Sequence, residues 1–182
     1  MEWALAMDQN SALENKLVEK SNWFANRRLD KTSRERIQTM VVPDSLKEAY
    51  CVQQRVLEKL GWHVGGWKLG GTNQGTRNKF DCNSAYYGPI EEGKIIFGET
   101  ENSFEWELPS SLRGEAEISF RLSPKIEQLR ELDSLEDVFG YVDALAPSLE
   151  CPYCTIVDVE SLGLGALIAD LCGSGYLILG KI

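Results

Sequence analysis

Arg113-Gly114-Glu115-Ala116-Glu117-Ile118-Ser119-Phe120-Arg121-Leu122 alternates without a break from residue 115 onward. Ala116, Ile118, Phe120 and Leu122 fall on one side of an extended chain, and Glu115, Glu117, Ser119 and Arg121 on the other. The strongly apolar side is expected to face a core, which makes this a strand of a central sheet. Two carboxylates at i and i+2 then stand about 6.5–7 Å apart, Cα to Cα, on the polar face. Such a pair can converge on one hard divalent cation and leave positions open for water and a chelating substrate. Spacing alone does not single it out. Glu99/Glu101 and Glu105/Glu107 repeat it upstream, and a solvated strand face is the ordinary reading of each.

Downstream, Ser134-Leu135-Glu136-Asp137 opens a helix in capping-box style. Leu135, Val138, Phe139, Val142 and Leu145 form its expected apolar face, and Pro147 ends it. Glu150 follows in Pro147-Ser148-Leu149-Glu150-Cys151-Pro152, ahead of a strand expected over Thr155 to Val159. A lone glutamate there is ordinarily a surface residue, and it gains weight only if it faces the Glu115/Glu117 pair. Leu162 to Leu179 is apolar over almost the length of a membrane span. Gly163, Gly165, Gly173, Gly175 and Asp170 interrupt it, so it reads as a buried helix, a Gly-Ser-Gly turn and a buried strand at Tyr176 to Leu179.

Upstream, Phe104, Trp106 and Leu108 suggest another half-buried strand, and Lys94 to Phe97 and Tyr87 to Ile90 read as short strands around Glu91-Glu92-Gly93. Gly75 to Ser84 is polar and loop-like. Val64, Trp67 and Leu69 mark a strand that closes at Gly70-Gly71, with Lys68 on its opposite side. Pro43-Asp44-Ser45 starts a helix carrying Leu46, Ala49, Tyr50, Gln53, Val56, Leu57 and Leu60, and Gly61 takes the position just past its end. The first 40 residues look helical, with Leu13, Leu17, Trp23 and Phe24 at near-helical spacing. Arg27, Arg28, Lys31, Arg34 and Arg36 read as a solvated loop, with an anion site as the sharper alternative. The pattern is α+β: a helical N-terminal part over 1–61, then a β-rich part over 62–182.

The 182 residues suit one domain, and 43% hydrophobic with 26% charged residues is ordinary globular composition. A net charge of −9 argues against nucleic acid and against an anionic membrane as partners, since both draw on a basic surface. Glu2 and Asp8 flank the short apolar start, with none of the basic residues that open a secretory signal. Five cysteines, an odd number, fit reduced thiols in a cytoplasm.

Three other chemistries compete. Cys151-Pro152-Tyr153-Cys154 has the spacing of a thiol redox pair. The β-branched run behind it, Thr155-Ile156-Val157-Asp158-Val159, supplies no helix N-terminus to acidify a thiol. A zinc site would need more soft ligands than Cys51, Cys82 and Cys172 offer. His63 is the only histidine, so nucleophilic catalysis based on histidine would have to use it, and it enters a strand between Trp62 and Val64. Lys68, ahead of the glycine turn at Gly70, Gly71 and Thr72, can hold a carboxylate or keto oxygen, with backbone N–H groups as further donors.

Taken in order, Gly66-Trp67-Lys68-Leu69-Gly70-Gly71-Thr72, Tyr87-Gly88-Pro89, Arg113 through Phe120, Val142-Asp143-Ala144-Leu145-Ala146-Pro147-Ser148-Leu149-Glu150, and Ala169-Asp170 through Ser174-Gly175 to Leu179-Gly180 resemble the 2-keto-4-pentenoate hydratase and 4-oxalocrotonate decarboxylase family. That family belongs to the fumarylacetoacetate hydrolase superfamily, and the resemblance runs from about Leu46 to Gly180. It implies N-terminal helices followed by a mixed β-roll. It implies a Mg²⁺ or Mn²⁺ site made by Glu115, Glu117 and Glu150. It places Lys68 and Asp170 in catalysis, and Lys68, Gly70, Thr72 and Ser174 against a small 2-oxo or 2-hydroxy acid. The implied activity is hydration of a 2-hydroxy-2,4-dienoate through a stabilised enolate, of the kind used in aromatic catabolism, with decarboxylation of a 2-oxo acid as the neighbouring alternative.

The sequence departs from its relatives at Gly70-Gly71-Thr72-Asn73, at Leu171 after Ala169-Asp170, and at Tyr86. Relatives also continue well beyond the Leu-Gly seen here as Leu179-Gly180. The expectation is therefore a roll left open on the side facing the glutamates, weak catalysis in a wet site, and association with a second copy or another chain. A non-catalytic partner subunit and a thiol oxidoreductase using Cys151 are the competing functions.

Overall fold

A computed structural model describes residues 2–30, 41–98, 113–129 and 134–181. The Glu99/Glu101 and Glu105/Glu107 pairs, the strand expected around Phe104 to Leu108, and Lys31, Arg34 and Arg36 lie outside the described residues. The helices are α1 (Glu2–Leu29), α2 (Leu46–Leu60), α3 (Gln74–Lys79), α4 (Leu135–Phe139), α5 (Val159–Leu162) and α6 (Leu164–Ala169). The strands are β1 (Val64–Gly70), β2 (Tyr86–Glu91), β3 (Ile95–Phe97), β4 (Glu115–Leu122), β5 (Val142–Cys151) and β6 (Tyr176–Leu179). Contacts divide the chain into two compact units, Met1–Gly93 with Tyr153–Ser174, and Lys94–Pro152 with Gly175–Ile182. The switch from helical to strand period near residue 62 is a change of secondary structure. The contact division follows tertiary packing and takes β1 and β2 with the helices.

In the first unit, α2 is delimited by its own sequence. The Ser45 hydroxyl accepts the Glu48 N–H at the start, and Gly61 closes the helix at φ 64°. Its buried face, Val52, Val56 and Leu57, packs with Phe24 and Ala25 of α1 and with Ile156, Ala166, Ala169 and Leu171. Each such large apolar side chain contributes about 1.5–3 kcal/mol when fully buried. A second cluster joins Ala49, Tyr86, Leu164, Leu167, Ile168 and Cys172. Strands β1 and β2 form an antiparallel ribbon with Lys68 opposite Gly88 and Gly70 opposite Tyr86. Gly88 permits a close approach: a Cβ there would lie 2.5 Å from Cys172 Cβ and 2.8 Å from the Leu171 carbonyl oxygen.

Two local expectations change in this unit. The polar run after Gly71 contains α3, because Asn73 caps it by accepting the Thr76 N–H. The run Thr155 to Val159 is no strand: Ile156 makes an isolated bridge, Asp158 is left-handed at φ 56°, and α5 starts at Val159.

The basic cluster is also not a solvated loop where it is described. Arg28 is buried and bonds Asp170 Oδ1 through Nε at 2.8 Å, the Ser174 carbonyl through Nη1 at 2.7 Å, and the Asp170 carbonyl through Nη2. Its guanidinium lies over the Tyr153 ring, 5.8 Å from the centroid. Two helical turns earlier, Lys20 is buried against the Val42 carbonyl at 3.0 Å and Glu48 at 2.8 Å. Two buried cations therefore fasten α1 to the rest of the unit.

The second unit is a four-stranded sheet in the order β3-β6-β5-β4, with β3 parallel to β6 and the other pairs antiparallel. The helix expected from Ser134 to Leu145 stops after five residues. Its capping box forms as expected, but Gly140 follows Phe139, and Val142 onward pairs along β4. Val138, Val142 and Leu145 satisfy a helical period, yet the ladder with β4 wins. Pro147 is tolerated because its nitrogen points toward the end of β6, where its carbonyl accepts the Gly180 N–H at 2.8 Å.

The apolar face of β4 is exposed instead of buried: Ile118 is 67% and Phe120 58% accessible. On β5 Ala146, Glu150 and Cys151 are buried, while Leu145 and Leu149 are exposed. On the glutamate face Glu150 is buried while Glu115 and Glu117 are exposed.

Removing Arg28 leaves the buried Asp170 carboxylate unpaired. Arg28→Ala should destabilise the first unit by about 3–5 kcal/mol, read as a lower urea midpoint. Asp170→Ala should cost a similar amount, and the double variant should cost less than the two singles combined. Gly88→Ala should cost about 1–3 kcal/mol in the same assay, because its new methyl meets backbone that cannot swing aside.

Candidate metal centre

Strand β4 places Glu115 and Glu117 on one face by the two-residue period. Register places Glu150 directly opposite Glu115 on β5, so it shares that face. One ligand oxygen from each of the three carboxylates lies within 4.8 Å of the others. Glu115 and Glu117 are exposed and Glu150 is buried. Beside them Ser119 and Ser148 bond hydroxyl to hydroxyl at 2.8 Å. Three anionic oxygens with no sulfur or imidazole among them form a hard donor set, suited to Mg²⁺, Mn²⁺ or Ca²⁺ rather than to Zn²⁺ or Cu²⁺. Like charges this close repel, and a divalent cation relieves that repulsion. The residues present therefore fit the cation that the resemblance implies.

The sequence pattern alone left Glu150 in a connection after a helix. Its true setting, next to last on β5 in the pair that ends the ladder with β4, makes it a cross-strand neighbour of Glu115. The available signal was the alternation of Ala144, Ala146 and Ser148 with Leu145, Pro147 and Leu149.

The other expected site residues belong to the first unit. Lys68 is half-buried on β1 opposite Gly88. Gly70 lies against the Tyr86 ring, where a Cβ would come within 2.2 Å of a ring carbon, so packing alone requires glycine there. Thr72 is exposed in the connection to α3. Ser174 is buried, and its hydroxyl finds no hydrogen-bond partner among the described residues. His63 is exposed, with its carbonyl accepting the Glu92 N–H.

Asp170, expected in catalysis, lies just past the end of α6 in the first unit. It is fully buried, and each carboxylate oxygen accepts two bonds. Oδ1 takes Arg28 Nε and the Thr155 hydroxyl, both at 2.8 Å. Oδ2 takes the Thr155 N–H at 2.7 Å and Cys154 Sγ at 3.1 Å. These four bonds hold the carboxylate in place at the end of α6.

The thiols of Cys151 and Cys154 are free. Burial pushes the Cys154 thiol up, and the adjacent Asp170 carboxylate pushes it further. Burial and then the Glu150 charge raise Cys151 as well, so its thiol is above the ordinary value expected from sequence. Raised values mean less thiolate, hence less nucleophile, at neutral pH. In the folded protein at pH 8, iodoacetamide should label the exposed Cys51 first and leave Cys151 and Cys154 unmodified, as mapped by peptide mass spectrometry. Fast labelling of Cys151 would restore the redox reading.

No family model and no curated protein matches this sequence. Among solved structures, the chain is similar to 4-oxalocrotonate decarboxylase from Pseudomonas putida G7 complexed with magnesium and adipate. The TM-score is 0.71 at 19% identity, covering 92% of this chain and 63% of that one. The same enzyme complexed with calcium and acetate aligns with a TM-score of 0.69, also at 19% identity, over 92% of this chain and 62% of the other. The chain therefore spans under two thirds of the length of these neighbours. At this identity the likeness establishes the fold, an α+β architecture shared with 4-oxalocrotonate decarboxylase.

Proposed function

We propose that this chain carries the cation-binding half of a divalent-metal-dependent lyase site acting on a small 2-oxo or 2-hydroxy acid. The observation that carries the reading is the meeting of Glu115, Glu117 and Glu150 within 4.8 Å on one sheet face. These three would hold Mg²⁺ or Mn²⁺. A bound ion of this kind supplies a Lewis acid that polarises a 2-oxo group and favours negative charge on its oxygen. Glu150, already enclosed by the sheet, fixes the donor set, and the exposed Glu115 and Glu117 leave the outer side open to a chelating acid.

In this reading Lys68 offers an ammonium to the substrate's carboxylate and 2-oxo oxygens, balancing charge that develops there. Gly70, Thr72 and Ser174 complete the binding residues, Ser174 with a buried hydroxyl that can turn to an incoming acceptor. Hydration of a 2-hydroxy-2,4-dienoate is the first reading of the chemistry: a proton moves along the conjugated chain and water adds to the unsaturated ketone. Decarboxylation is the second, and the neighbours favour it, since both are 4-oxalocrotonate decarboxylase. We propose further that the chain associates with a second copy or another chain, in a cytoplasmic setting.

Calorimetric titration with Mg²⁺ and Mn²⁺ tests the core of this proposal. Binding should weaken on acidification as the donors protonate, and Glu117→Ala should lower affinity at least tenfold. Unchanged affinity in that variant would remove the metal reading. With Mg²⁺ present, consumption of a 2-hydroxy-2,4-dienoate and release of CO₂ from 4-oxalocrotonate then separate hydration from decarboxylation.

A further inference from the structure

Strand β4 ends the sheet order β3-β6-β5-β4, and no described strand lies beyond it. Its eight residues contain no proline, and the register shift near Arg121 falls on β5, where Asp143 is the extra residue. A long, regular edge of this kind carries backbone N–H and C=O groups ready to pair with another strand. Ile118, Phe120 and Leu122 are exposed along it. The order of side chains is self-complementary about Ser119. When two copies of β4 run antiparallel with Ser119 facing Ser119, each residue faces the one equally far on the other side of that centre. Glu117 then faces Arg121, Ile118 faces Phe120 and Ala116 faces Leu122, and symmetry makes each pair twice. Centring on Ile118 keeps Glu115 with Arg121 but sets Leu122 against Gly114, and centring on Phe120 sets Arg121 against Ser119 and loses the charge pairing. A slip of one residue sets apolar faces against polar ones.

We infer that the outer edge of β4 docks the same edge of a second copy, antiparallel across a two-fold axis at Ser119, joining two four-stranded sheets into one. The inference rests on the association proposed above and commits it to a second copy and to one edge. An axis perpendicular to the sheet keeps like faces together, with both glutamate faces on one side and both apolar faces on the other. The occupant follows from charge and size. Glu117 and Arg121 share a face by the two-residue period, and no ion pair holds Arg121 among the described residues. In the dimer each meets the opposite charge directly across. One oxygen of Glu117 suffices for the carboxylate cluster, which leaves the other to the guanidinium of the second copy. Ile118 against Phe120 is a β-branched and aromatic pair, of the kind that stabilises antiparallel strands. A strand of unrelated sequence would gain the backbone bonds without these matched pairs.

Light scattering and sedimentation of the full chain in EDTA test this without any metal. The wild-type chain should be a dimer that dissociates on dilution. Arg121→Glu turns two attractive pairs into two repulsive ones and should weaken the dimer at least about tenfold. Glu117→Arg combined with Arg121→Glu reverses every pair and should restore the dimer, which a folding defect would not allow. Ser119→Cys places two thiols on Cα atoms about 4.5–5.5 Å apart, within the span of a disulfide. Mild oxidation with diamide should therefore link the two copies through position 119, as mapped by peptide mass spectrometry, and Leu122→Cys should not link to itself. A monomer, a dimer indifferent to Arg121→Glu, or self-linkage of Ile118→Cys in place of Ser119→Cys overturns the inference. An indifferent dimer leaves association itself standing, and Mg²⁺ binding is read apart from either.

Discussion

The backbone ladder between β4 and β5 holds Glu115 opposite Glu150, and the two-residue period of a strand carries that choice along both strands. One consequence is chemical: three carboxylates share a face and approach within 4.8 Å. Another is mechanical, because the same parity pairs Ser119 with Ser148 diagonally and lines the trough with Ala144 and Ala146. A third is thermodynamic. Ile118, Phe120, Leu145 and Leu149 are sent to the opposite face, where they are exposed. The hydrophobic effect alone would turn that face inward.

The first unit is organised around a different interaction, the Arg28–Asp170 pair. A buried ion pair is worth having only when its remaining hydrogen-bond capacity is filled. Here Thr155, Cys154 and two backbone carbonyls fill it. The pair joins residues 142 positions apart in sequence, so it brings α1 to the end of α6 and orders the turn that carries Ser174. The left-handed backbone of Leu171 and Cys172 belongs to the same turn, which fits beside Gly88 only because that residue has no side chain.

Much of this is legible in residues. Alternation marks β4 and β1, an apolar run after the Gly-Ser-Gly turn marks β6, the Ser45 and Gly61 signals delimit α2, and the ordered motifs identify the fold. What sequence pattern could not resolve was long-range. Val138, Val142 and Leu145 suit a helix as well as a strand, and only the partner strand decides. Thr155-Ile156-Val157 has the composition of a strand, yet Asp170 claims the Thr155 N–H and hydroxyl. Arg28 sits among surface-like basic residues, and nothing local shows that its counter-ion is Asp170. The glutamate cluster was half visible: the spacing of Glu115 and Glu117 is local, while the place of Glu150 depends on a pairing that the helical reading of its neighbourhood concealed.

The parity of β5 also limits how this chain can vary in length. Pro147 and Gly180 meet so closely that a Cβ on Gly180 would lie 2.9 Å from the proline ring and from its carbonyl oxygen, which pins the position of Pro147 beside β6. Glu150 follows three residues later. Gain or loss of a single residue in that interval turns the third carboxylate to the opposite side of the sheet. A gain of two returns it to the correct side but about 7 Å farther along the strand, out of reach of Glu115. Side chains in Pro147 to Glu150 can therefore be exchanged in evolution more freely than their number can.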